Sequence, residues 1–168
     1  MIGIISDSHD NLGAIRKAVE FFNDNEVKAV LHAGDLVSPF TARVFEKLKS
    51  KLYVVFGNND GDKVMLTKSF EDIGATVCGD FGELTVDSLH IALLHGTNEA
   101  LVKALAKSED FDVIIRGHTH DPGIKVIKGT LLINPGECCG WVTGKSTVGI
   151  LELPSKKFEL SDLGEKKC

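Results

Sequence analysis

Five short apolar runs punctuate this chain, and each delivers a residue able to hold a metal ion. Residues 2–6 lead to Asp7 and His9, residues 29–34 to Asp35, and residues 52–57 to Asn58. Residues 91–94 lead to His95, and residues 113–117 to His118 and His120. Runs of this length, aliphatic or β-branched and closed by Gly or a polar residue, read as buried strands. In open α/β sheets, ligand sites lie beyond the carboxyl ends of the strands. Side chains placed just past five such runs therefore collect on one rim, as a metal site does.

The segments between the runs carry helical signals. Leu12, Ile15, Val19 and Phe22 recur at helical spacing behind Asp10 or Asn11, either of which can cap the first turn. Ser38 followed by Pro39 is a cap with proline at the first helical position, and the helix behind it presents Phe40, Val44, Phe45 and Leu48. A third helix over 62–73 stops at Gly74, and Ala100, Leu101, Ala104 and Leu105 mark a fourth over 99–107. Strands are expected at 2–6, 28–33, 52–56, 75–77, 82–86, 88–94 and 112–116. Four more follow at 124–127, 130–133, 146–152 and 157–161. The first part alternates strand and helix, and the second is richer in strands. That mixture predicts an α/β fold, a four-layer α-β-β-α sandwich of two mixed β-sheets flanked by helices. The 168 residues fit a single domain over 1–168, with residues 165–168 expected to fray.

Net charge is −5, and no cationic block exceeds the pairs Lys156–Lys157 and Lys166–Lys167. A sequence-independent grip on nucleic acid needs several clustered cations, so a dedicated long nucleic-acid binder is disfavoured. A small phosphate-ester substrate is not. No apolar stretch reaches membrane-spanning length and no basic segment precedes the first strand, so a cytoplasmic protein is expected. Cys78, Cys138, Cys139 and Cys168 show no paired metal spacing. They read as small buried residues or free thiols, with a thiolate metal site as the alternative.

Asp7, His9, Asp35, Asn58, His95, His118 and His120 offer the oxygen and nitrogen donors that a divalent transition metal takes. Seven ligands are too many for one tetrahedral site and suit two ions sharing a bridge. A carboxylate is the natural bridge, since its oxygens can bind separate cations. Paired ions clamp the attacking and leaving oxygens of a phosphoryl displacement.

The series Asp7-Ser8-His9, Gly34-Asp35, Gly57-Asn58-Asn59-Asp60, His95-Gly96 and Gly117-His118-Thr119-His120 resembles the calcineurin-like metallophosphoesterases, especially their small bacterial and archaeal phosphodiesterases. The resemblance implies that Asp7, His9, Asp35 and His120 hold one ion. Asp35, Asn58, His95 and His118 would hold the other, with Asp35 bridging. It also implies that hydroxide between the ions attacks phosphorus, with Asp35, Asn59 and His95 at the catalytic centre. His, Asp and Asn suit Mn, Fe, Co, Ni and Zn alike.

Two departures refine that reading. The family's third motif normally carries a His that assists the leaving group, and Asn59 stands in its place. Asn donates a hydrogen bond but delivers no proton, so phosphodiesters and activated aryl leaving groups are favoured over monoesters. Asp60 is expected to orient a neighbour. Ser38 and Pro39 replace the Asp and Arg of the family's protein phosphatases, which disfavours that activity.

Asn11 is read either as a contact to substrate phosphate, alongside Asn59, or as the first helix cap. His32 and His90 are read as structural, His32 with scope to support a ligand. Gly57, Gly96 and Gly117 are expected to let the chain turn sharply. In residues 134–140, NPGECCG, Glu137 replaces a Ser of the related segment and is expected to be peripheral. Trp141 is read as packing or interface rather than as a base-stacking platform. The competing function is a protein-interaction scaffold, like the vacuolar sorting subunit that resembles these enzymes. A symmetric homodimer is the expected assembly.

Overall fold

The computed structural model describes residues 1–164, so the tail expected to fray and Cys168 lie outside the described residues. Strands β1 (Ile2–Ile5), β2 (Ala29–His32), β3 (Lys51–Val54) and β4 (Thr76–Val77) run parallel in one sheet. Strand β10 (Thr147–Leu151) joins antiparallel to β1 and β11 (Phe158–Asp162) antiparallel to β10, giving the order β11-β10-β1-β2-β3-β4. The second sheet contains β5 (Phe81–Val86), β6 (Leu89–Leu94), β7 (Val113–Ile115), β8 (Gly123–Ile127) and β9 (Thr130–Asn134). Its order is β5-β6-β7-β9-β8, with β6, β7 and β9 parallel.

The pleat sorts each strand's side chains into two cores. Ile2, Ile4, Leu31 and Val55 of the first sheet meet Ile91, Leu93, Val113, Ile115 and Ile133 of the second. On the far side of the first sheet, Ile5, Val30 and Val54 pack against Ile15, Phe22, Leu66 and Phe70, carried by α1 (Leu12–Asp24) and α3 (Lys63–Asp72). On the far side of the second, Leu94, Ile114 and Leu132 pack against Val102 and Ala106 of α4 (Glu99–Ser108). The layers are therefore helix, sheet, sheet, helix. Strands covered on both faces explain why the runs are apolar throughout.

The helix expected over 39–48 is shorter. A 3₁₀ turn at Pro39–Thr41 leads into one α-turn, α2 (Ala42–Phe45). Asn23 of α1 captures the following backbone. Its Nδ2 donates to the Lys47 carbonyl, and its Oδ1 accepts from Lys49 N–H. Those contacts replace the helical bonds that would continue α2. Gly74 follows α3 with φ +83°, the left-handed residue that closes a helix. No described helix is long and apolar enough to cross a membrane.

Candidate metal centre

The carboxyl ends of β1, β2 and β3 in one sheet meet those of β6, β7 and β9 in the other. Asp7 and Asp35 are buried there, and three imidazole nitrogens converge on them. His120 Nε2 lies 3.3 Å from Asp7 Oδ1, and His95 Nε2 lies 3.2 Å from Asp35 Oδ2. His9 Nε2 sits between, 3.8 Å from Asp7 Oδ1 and 3.5 Å from Asp35 Oδ2. The His118 ring stands edge-on to His95 with centroids 5.2 Å apart, and its backbone N–H donates to Asp7 Oδ2 at 3.1 Å.

Second contacts fix how each ligand faces. His95 Nδ1 donates to the Ala33 carbonyl at 2.7 Å, which leaves Nε2 as the free lone pair. Asn59 donates to Asp35 twice, from its backbone N–H to Oδ1 at 2.8 Å and from Nδ2 to Oδ2 at 2.7 Å. Asp60 accepts the backbone N–H groups of Asp35, Val37 and Gly57, so it orients the two loops that carry Asp35 and Asn59. This is the orienting role expected for it.

The backbone is held in an uncommon conformation at the same place. Asp7, His9, Asp35, His118 and His120 all have positive φ, between 39° and 70°. Non-glycine residues rarely adopt this region, and such strain clusters at functional sites. Gly57 and Gly117 serve a different purpose from the sharp turn expected of them, because neither has positive φ. A Cβ on Gly57 would lie 2.1 Å from Asp35 Oδ1, and one on Gly117 would lie 1.8 Å from Ser6 Oγ. They are small because the carboxylates pass directly over them. Gly96, at φ +85°, does make the turn.

Charge follows from these contacts. Burial pushes the Asp35 carboxyl up, but His95 and the paired donors of Asn59 overcome it and hold the group well below the usual carboxylate range. The Asp7 carboxylate, with Asp35 beside it, raises His9 against the lowering effect of burial. Burial lowers His118, with His95 and Arg116 adding to the effect. His32 is pushed down to about 3 by burial. It accepts Gly34 N–H at Nδ1 and faces Ser8 Oγ at 3.1 Å through Nε2, so it is a structural histidine beneath the loops that carry ligands. His90 bonds Glu83 and the Asp110 carbonyl, away from the site.

Asp7 Oδ1, His9 Nε2 and His95 Nε2 are buried without a hydrogen-bond partner. Buried polar atoms are nearly always paired. Three unpaired acceptors facing one another beside two carboxylates fit a divalent cation. Asp7, Asp35 and His95 form one cluster whose donor atoms lie within 4.8 Å of each other, and His9, His120 and Cys139 form a second. His9 and His120 of the second cluster stand beside Asp7 and Asp35 of the first, while the Cys139 thiol, pushed up to about 12 by burial and the Glu137 carboxylate, stays protonated.

Several expectations need correction. Glu137 is not peripheral. It is fully buried, and its Oε2 accepts from His120 Nδ1 at 2.8 Å and from the Cys139 thiol at 3.0 Å. Burial pushes its carboxyl up, but bonds from Cys139, Thr143 and Val142 bring it down to about 2, so it stays anionic. Asn59 turns its amide onto Asp35 rather than outward to a substrate. Asn58 is exposed beside His95, on a groove shared with Phe56, Lys63 and Thr97. Asn11 caps α1 through Oδ1 to Ala14 N–H and ties Nδ2 to the Cys139 carbonyl at 2.8 Å, which leaves one amide hydrogen free. Cys139, read as a small buried residue, has its thiol in the second donor cluster. The signal for Glu137 and Cys139 was the segment NPGECCG over 134–140, whose family counterpart lies near the site.

Residues 1–156 match the model of the calcineurin-like phosphoesterase superfamily domain. A phosphodiesterase of Methanocaldococcus jannaschii is 42% identical over 158 residues, spanning 94% of this chain and 95% of its own. A probable metallophosphoesterase of Bacillus subtilis is 32% identical over 145 residues, 79% of this chain and 72% of its own. A solved archaeal phosphodiesterase superposes with a TM-score of 0.92 at 40% identity, covering 96% of this chain and 98% of that one. Vps29 of Entamoeba histolytica, a single mutant, superposes with a TM-score of 0.69 at 20% identity over 96% of this chain and 98% of its own, a likeness of fold alone.

Proposed function

The chain belongs to the calcineurin-like phosphoesterase superfamily and is a metal-dependent phosphoesterase; from that premise we propose a dinuclear phosphodiesterase acting on a small phosphate ester. The carrying observation is the convergence of unpartnered Asp7 Oδ1, His9 Nε2 and His95 Nε2 on the Asp7–Asp35 pair. Asp7, His9, Asp35 and His120 would hold one ion, and Asp35, Asn58, His95 and His118 the other. Mn, Fe, Co, Ni and Zn all suit this donor set. When bound, such a pair supplies a water acidic enough to ionise near neutral pH and neutralises a phosphate's charge. The similarity to the M. jannaschii phosphodiesterase supports the diester preference.

The chain's own residues act by position. Asn59 clamps both oxygens of Asp35, and His95 is locked through Ala33, so the shared carboxylate and its neighbour keep one geometry. Asn11 has one amide hydrogen left to offer a phosphate oxygen. Position 59 supplies no proton to a leaving alcohol, a contribution of about 10²–10⁴-fold where a positioned acid exists. Activated aryl diesters should therefore turn over faster than monoesters.

The test strips the protein with chelator and assays an aryl phosphodiester against an aryl phosphomonoester. Mn, Ni, Co, Zn or Mg is added back singly, with Asp35→Asn alongside. Metal-dependent diester hydrolysis that disappears in Asp35→Asn is the expected result. Tight metal binding with no turnover on either ester would overturn it and favour the scaffold reading.

A further inference from the structure

Trp141 is 65% exposed, yet it stands beside the metal centre. Its ring centroid lies 6.3 Å from that of His9 with the planes 35° apart, and His9 lies 5.3 Å from His120. An indole used for packing would be buried, and this one is not. Nor does it sit on a loose tip. Val142 N–H, Thr143 N–H and the Thr143 hydroxyl all donate to the buried Glu137 carboxylate, and Gly140 and Gly144 take left-handed turns on either side. The same carboxylate accepts from His120 Nδ1, so one buried group sets both a metal ligand and the indole's loop. A flat apolar ring held open to solvent at the rim of a polar, charged site is a surface for a second flat ring.

We propose that Trp141 is a specificity-determining residue that stacks an aromatic ester group, aryl or nucleobase, of a diester whose phosphate is taken up at the neighbouring metal centre. The proposal rests on the phosphodiesterase reading above and adds the chemical class of its substrate. The net charge of −5, with no cationic block in the sequence beyond two lysine pairs, keeps that substrate small rather than polymeric. Nothing in the stacking depends on which of the diester's two groups leaves.

Trp141 is the chain's one tryptophan, so fluorescence excited at the red edge, where Tyr53 does not absorb, reports on this position alone. The full chain, loaded with Mn, is titrated with phenylphosphonate and with methylphosphonate, which share the anionic head and differ in the ring. Phenylphosphonate is expected to quench the fluorescence and methylphosphonate to leave it unchanged. As inhibitors of bis(p-nitrophenyl) phosphate hydrolysis, the phenyl compound is expected to bind about 5- to 100-fold tighter, the range that base–aromatic stacking supplies. That ratio should fall to about 1 in Trp141→Ala and persist in Trp141→Phe. A ratio unchanged in Trp141→Ala overturns the proposal while hydrolysis in the parent leaves the phosphodiesterase reading standing. No hydrolysis in the parent removes that reading, and absent quenching then removes the platform as well. A dimer lost in Trp141→Ala, with the ratio unaltered, would assign the indole to an interface between copies and refute the stacking role.

Discussion

Glu137→Gln replaces a carboxylate by an amide of the same shape and tests how far one buried group controls the site. Oε1 accepts from Val142 N–H at 3.0 Å and the Thr143 hydroxyl at 2.7 Å, and also from Thr143 N–H. Oε2 accepts from His120 Nδ1 at 2.8 Å, Cys139 Sγ at 3.0 Å and Val142 N–H at 3.1 Å. Every partner is a donor, and glutamine turns one oxygen into a donor as well. With the amide nitrogen toward His120, the imidazole must accept at Nδ1 and carry its proton on Nε2. That is the nitrogen facing Asp7 Oδ1 at 3.3 Å, and a protonated nitrogen cannot bind metal. With the nitrogen toward Thr143, the Trp141 loop loses its anchor. Either orientation removes one or two charge-assisted bonds worth about 1.5–3 kcal/mol each. At about 2–4 °C per kcal/mol for a chain of this size, the melting temperature should drop by about 3–24 °C. Affinity for the ion at His120 should weaken about 10- to 100-fold, as losing a ligand's supporting partner does. Calorimetric titration of metal into stripped protein reads the affinity, and a thermal melt reads the stability. A folded Glu137→Gln that binds both ions within threefold of the parent would refute the reasoning.

Three further outcomes are expected. Gly117→Ala places a Cβ 1.8 Å from Ser6 Oγ and 2.4 Å from Asp7 Oδ2, so urea unfolding should show a loss of about 1–3 kcal/mol or more. Gly123→Ala, with nothing within 4 Å, should stay near the parent. His32 is neutral in the folded protein down to about 3, while the unfolded chain takes up its proton near the ordinary value of 6.5. Its contribution to stability is therefore complete above pH 6.5 and lost as pH falls toward 3. Between pH 6.5 and 5 the parent should lose about 2 kcal/mol more than His32→Gln, read by urea midpoints at each pH. Asn59→His places a proton donor beside Asp35 and should raise phosphomonoester turnover, most for a poor leaving alcohol, by up to about 10²–10⁴-fold. No change or a fall in that assay would show that position 59 does not act on the leaving group.

Much of the architecture was legible because its causes are local. Strand positions follow from apolar runs, the first helix starts at an Asn11 cap, and the third closes at Gly74. Asp60 was read correctly as an orienting residue, since a second carboxylate beside a ligand set usually holds backbone. The short α2 was missed because Asn23, on a different helix, captures the backbone of residues 47 and 49. Glu137 was misjudged because a negative charge beside an anionic substrate is unfavourable, which argued for a place away from the site. The donors that hold it come from residues 120 and 139–143, and no spacing rule links them.

The sequence by itself determined the layer order and the identity of the candidate ligands, because period, caps and breakers act over a few residues. Only the tertiary structure decided which of those ligands meet. Cys138 N–H donates to the Ser6 carbonyl and Cys139 N–H to that of Asp7, which brings the end of β9 against the end of β1. That contact sets Glu137 behind His120, the Cys139 thiol near His9, and Trp141 at the rim. It depends on two sheets packing face to face, a long-range result that no local pattern encodes.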